Sequence, residues 1–215
     1  MGQAGRLPAT ARLWPVLGIV AWLLVFLGLI LHGYPKTNAS AQQLATWTSA
    51  TDPTHFAIGV ELEAIGFLVL VFFVAWLCHI LQRLGGTAWL LRLAVASTAI
   101  WVAVSITSNG FWTALLDAGK HGVNLQSLTS VRDLAQDVFN VSNLLLPPAL
   151  ISLGLASVRR PAIPSWLGWS ALVIGILMLI GPLAFPLQLA FIIWVIAVSV
   201  RFLLRPEPTG AGEAP

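Results

Sequence analysis

From Leu13 onward the chain passes through one apolar stretch after another, each long enough to cross a bilayer and each ended by a short polar break. A helix needs about 20 mostly apolar residues to span the hydrocarbon core. Six stretches qualify: Leu13–His32, Phe56–Leu81, Ala88–Trp112, Val138–Val158, Trp166–Phe185 and Leu187–Leu204. The last two are parted only by a turn around residues 181–186, which predicts a tight hairpin. Of 215 residues, 58% are hydrophobic and 9% charged, whereas soluble domains carry roughly 25% charged residues. Too little polar surface remains to coat a water-soluble particle. The pattern reads as an all-α, polytopic membrane bundle of six transmembrane helices whose main partner is the lipid bilayer.

The basic residues set the orientation. A pI near 9.8 could indicate nucleic acid, but the eleven Lys and Arg residues are dispersed along the chain. No nucleic-acid partner is expected. With the N-terminus inside, Arg6, Arg12, Arg83, Arg92, Arg159, Arg160, Arg201 and Arg205 fall on the cytoplasmic side. Lys36, Lys120 and Arg132 fall outside. This positive-inside bias predicts a cytoplasmic-membrane protein with both termini in the cytoplasm. Residues 1–12 form a cytoplasmic segment, 13–205 the membrane domain, and the Pro/Gly-rich 206–215 a disordered tail. A cleaved signal peptide is the other reading of the first stretch, since Ala39-Ser40-Ala41 resembles a cleavage site. Its apolar core exceeds the usual length and that site lies well beyond its end, so a retained span is expected. The outer connections, residues 33–55 and 113–137, read as long loops and so as the face to carry function.

Two acids interrupt the second span. Glu61 and Glu63 stand about 200° apart on a helix and cannot share a face. Gly59 and Gly66 lie four before and three after Glu63, and small residues mark close helix contacts in membranes. Glu63 therefore points into the bundle and Glu61 toward the headgroups. Glu63 lies about 12 Å along the helix from His55, too deep for easy snorkelling. An intramembrane acid is a functional candidate by default. The third span carries Ser97, Trp101, Ser105, Ser108, Asn109 and Trp112 on one stripe. The fourth places Asp137, Asn140 and Asn143 at three-residue spacing before Pro147 and Pro148. The two prolines remove amide donors and predict a kink. Glu63, Ser105, Asn109, Trp112, Asp137, Asn140 and Asn143 are the candidate ligand-binding set, lining an outward-facing polar pocket.

Much familiar chemistry is missing. The single cysteine, Cys78, excludes an intramolecular disulfide. His32, His55 and His121 lie in or near outer loops, and His79 alone lies toward the cytoplasm, so no paired-histidine haem site is expected. No metal-ligand spacing, phosphate loop or nucleophile elbow occurs. Neither a cofactor, a metal nor a catalytic residue is assigned.

The segment "IPSWLGWSALVIGILMLIGPL", Ile163 to Leu183, together with "LGLASVRR", Leu153 to Arg160, resembles a broad class of bacterial six-helix integral membrane proteins of unassigned function. In that class a Pro-x-x-Leu-Gly step opens the fifth helix, here Pro164, Leu167 and Gly168. The resemblance implies a six-span layout and a bacterial membrane location, and it implies no catalytic residues. The expected function is non-enzymatic: binding of a small molecule or lipid from the outer side, or a role as an accessory subunit of a partner membrane protein. Homo-oligomerisation fits a small proton-coupled transporter using Glu63, the first alternative. A membrane-embedded hydrolase using Glu63 or Asp137 is the second.

Overall fold

The computed structural model describes residues 13–36, 38–158, 164–180 and 183–204, and all its regular structure is helical. Residues 1–12, Thr37, residues 159–163, Gly181, Pro182 and residues 205–215 lie outside the described residues, as do the expectations placed on them. Among the described residues eight helices follow one another: α1 Leu13–His32, α2 Ala41–Ala50, α3 Pro53–Arg83, α4 Ala88–Lys120, α5 Leu125–Asn143, α6 Leu146–Ser157, α7 Ser165–Met178 and α8 Ala184–Leu204. Five segments of these residues are long and apolar enough to cross a membrane: α1, α3, α4, the α5–α6 pair and α8. α7 is apolar but shorter.

The two long connections expected on the outer side are not simple loops, and this corrects the sequence reading. Residues 33–55 contain α2, and most of 113–137 is helix, because α4 continues to Lys120 and α5 starts at Leu125. Both were hidden by their polarity. α2 and α5 are amphipathic, so a hydropathy threshold passes over them, while their caps are plain. Ser40 accepts from Gln43 N–H and Gln43 returns a bond to Ser40 N–H, a capping box. The residues that suggested a cleavage site are the start of this helix. Asn124 caps α5 through Ser127 N–H at 2.9 Å. Asp52 caps α3 through His55 N–H at 2.8 Å, with Pro53 in the first turn.

α1 and α3 form the tightest pair in the bundle, and glycine makes it possible. A Cβ added to Gly28 would lie 2.5 Å from Gly59 O, and one added to Gly59 would lie 2.9 Å from His32 N. The two backbones touch there. One apolar cluster, built around Phe73, Leu77, Trp101, Leu150 and Phe191, fills the middle of the bundle. A second, containing Leu44, Phe56, Trp112, Leu115 and Leu128, lies under α2, where the end of α3 meets α4 and α5. Glu63 on α3 and Asn109 on α4 fall along their helices between these clusters.

The α5–α6 break lies where the prolines predict it. Leu144 and Leu145 donate to Val141 and Ser142 carbonyls in tightened three-residue turns, and Pro147 opens α6. α5 packs on α4 and barely on α1 or α8. That leaves room between the three helices.

Candidate functional site

Glu63 is buried at 6% exposure, and three side chains converge on its Oε2. His32 Nε2 lies 2.9 Å away. The Asn109 amide donates at 3.1 Å, and the Tyr34 hydroxyl sits 3.1 Å away. Tyr34 also reaches Asn109 Oδ1 at 2.8 Å. A phenol has one proton, so it serves one of these acceptors at a time. His32 is 3% exposed, and its Nδ1 has no partner among the described residues. With a proton on Nε2, the His32 ring donates to the Glu63 carboxyl oxygen. Burial, then the charge and hydrogen bond of Glu63, drives the Tyr34 phenol far above its ordinary pKa. It stays a donor. Glu63 Oε1 has no hydrogen-bond partner among the described residues, and Glu63 borders a cavity of about 350 Å³.

That cavity occupies the space between α1, α4, α5 and α8. Its polar lining is Tyr34, Glu63, Ser105, Ser108, Asn109, Gln136 and Gln188. Ser108 is tied to the Ala135 carbonyl at 2.9 Å and Ser105 to Ser142 at 3.4 Å, which holds α4 against α5. The rest is mostly aromatic. Trp101 packs edge-on against Phe67 and Phe191, with ring centres 5.2 and 6.2 Å apart, and Trp22 meets Phe191 at 5.8 Å. Phe139 of α5 touches Phe185 of α8 at 6.4 Å on the rim.

Four of the seven candidate ligand-binding residues line this cavity, Glu63, Ser105, Asn109 and Trp112, and so do Trp101 and Ser108 of the same α4 stripe. Asn143 is buried beside it and accepts from the Gln188 amide. Asp137 and Asn140 are corrections, because both are exposed and neither lines the cavity. Three residues turn a helix by about 300°, so two such steps carry Asp137 about 120° away from Asn143. The inward face of α5 is instead Ala135, Gln136, Phe139 and Ser142. Four contributors escaped the sequence reading: His32, Tyr34, Gln136 and Gln188. His32 reads as a loop-end residue by position, yet it stands four after Gly28 as Glu63 stands four after Gly59. That shared Gly-x-x-x-polar spacing was the available signal. Among the described residues no three His, Cys, Asp or Glu gather to hold a metal.

The chain is thus a helical protein with five membrane-length segments around an acid-bearing aromatic cavity. No protein family, curated protein or solved structure matches it.

Proposed function

We propose that this chain is a bacterial cytoplasmic-membrane protein that binds a small amphiphilic molecule in the cavity beside Glu63, without converting it. The observation that carries this reading is a buried carboxyl group that borders the cavity, with three neighbours on one oxygen and no hydrogen-bond partner on the other among the described residues. Polar groups that served only to glue helices would satisfy one another, and Ser105 and Ser108 do so. The exposed position of Asp137 argues against hydrolysis, because it leaves Glu63 without a second acid. Native mass spectrometry of gently purified protein, wild type beside Glu63→Gln, tests the reading. A bound mass confined to the wild type supports it, and bare protein in both samples overturns it.

In this proposal α7 is the sixth span and both termini are cytoplasmic. Its 14 residues cover about 21 Å, and the apolar Leu179 and Ile180 extend it. The positive-inside bias and the resemblance to six-helix bacterial proteins favour the same layout. Reporter fusions at each end would give one compartment for six spans and opposite compartments for five.

A second reading, proton-coupled transport, is favoured by one observation: Glu63 shares a single oxygen with two proton-bearing side chains, His32 and Tyr34. It requires pH-driven flux in vesicles that Glu63→Gln abolishes.

A further inference from the structure

We infer that the ligand of this cavity is an organic monocation, a protonated or quaternary amine carried on an apolar body. The inference rests on the cavity being a ligand site and adds the charge and shape of what it takes.

Charge comes first. Among the described residues Glu63 is the only acid that lines the cavity, and no Lys, Arg or His lines it. His32 touches Glu63 Oε2 and does not itself line the cavity. No cation among the described residues on the cavity wall faces the Glu63 carboxyl group, whose three partners all meet Oε2. A cation beside Oε1 would complete the pairing. An anion there would meet Glu63 at close range in a medium that screens poorly.

The walls point the same way. Nine of the lining residues are aromatic, drawn from α1, the segment after it, α3, α4, α5 and α8. Ring faces carry negative potential and attract ammonium groups, most strongly where water is excluded. Tyr34 and Trp112, with ring centres 5.2 Å apart, both line the cavity with Glu63. Tyr34 bonds Glu63 directly, and Trp112 stands one turn from Asn109. Carboxylate and rings together suit a cation better than a neutral polar group, because a neutral donor gains the hydrogen bond and little from the ring faces.

The rim defines the rest of the molecule. Phe26, Phe185 and Leu189 line the cavity and are also strongly exposed on the outer surface of the bundle. An apolar body lying against them would reach outward between α1 and α8 while its charged head sits by Glu63. The cavity therefore takes an amphiphile, head inward.

Four small probes that share a phenyl group and differ in charge test this: benzyltrimethylammonium, 2-phenylethylamine, 2-phenylethanol and phenylacetate. Binding is read from thermal stabilisation and calorimetry of the full chain in detergent. Both cations should bind about tenfold or more tightly than 2-phenylethanol, with phenylacetate weakest. Glu63→Gln should erase the preference and keep the binding of 2-phenylethanol. The charge order in the wild type needs no variant, so a poorly folded Glu63→Gln would not spoil the test. Binding of 2-phenylethanol or phenylacetate as tight as that of the cations overturns the inference. If that binding is lost on filling the cavity with Leu29→Trp, the pocket reading survives without the cation. If no probe binds, both readings fall.

Discussion

His32 Nε2 lies 2.9 Å from Glu63 Oε2, although the two stand 31 positions apart in sequence, and both side chains are buried. This contact joins α1 to α3 at the level where Tyr34 and Asn109 also reach the same oxygen. Removing the carboxylate leaves several buried donors without an acceptor. Each such group costs about 1–3 kcal/mol, so Glu63→Ala should lower stability by about that amount or more. Glu63→Gln retains an acceptor oxygen and should lose less. Thermal unfolding in detergent measures both, and a Glu63→Ala protein as stable as wild type would remove the network from the account.

Asp137 and Asn140 should be inert toward the cavity. Both are exposed, whereas Asn143, three residues on, is buried against Gln188. Asp137→Asn and Asn140→Ala should leave probe affinities within about twofold, a change under 0.5 kcal/mol. Gln188→Leu removes a lining amide and the partner of Asn143, and should shift them. A large effect of Asp137→Asn with none from Gln188→Leu would reverse this assignment.

The contrast between Asp137 and Glu63 shows how far the site could be read from residues alone. On α3, flanking glycines disclose which face meets another helix, and Glu63 shares that face. α5 offers no such marker. Three polar residues at a three-residue spacing drift round the helix, and only packing decides which of them ends inside. Tyr34 was out of reach for another reason. It follows α1 in an irregular segment whose path depends on α2 docking against α4 and α5, partly through Trp47 donating to the Gly33 carbonyl and Arg132 to that of Ala39. The long apolar helices were legible because each one's composition is set by lipid on one side and protein on the other. α2 and the start of α5 were not, because their surroundings are partly polar. Their caps were nonetheless written plainly in Ser40, Gln43 and Asn124.

The cap of α3 predicts a pH effect. His55 N–H donates to the Asp52 carboxylate and holds its pKa below the usual Asp value. A group depressed in the folded state stabilises it above the unfolded value and loses that contribution as pH falls through the folded one. Asp52→Asn keeps a capping oxygen and does not titrate. The gap in melting temperature between wild type and Asp52→Asn should therefore be open near neutrality and close as pH falls through and below the usual Asp range of about 4. A gap that stays constant over that range would show that the charge on Asp52 contributes nothing to the cap.

Gly28 and Gly110 should respond in opposite directions to the same substitution. At Gly28 an added methyl would lie 2.5 Å from the Gly59 carbonyl oxygen and 2.9 Å from Glu63 N. Both are backbone atoms that cannot swing aside, so the helices must separate. Overpacking of this kind costs about 1–3 kcal/mol. Separation would also lengthen the His32–Glu63 contact, since the same close approach brings those two side chains together. Gly28→Ala should therefore lose stability and probe affinity together. Gly110 lies inside α4 with nothing within 4 Å of an added Cβ. There alanine removes only the entropic penalty of glycine, a gain of about 0.5–1 kcal/mol. Binding should then be unchanged although Asn109 is its neighbour, because the backbone of α4 does not move. If Gly28→Ala destabilised the bundle yet left probe affinity intact, the α1–α3 contact would hold the fold together without shaping the site.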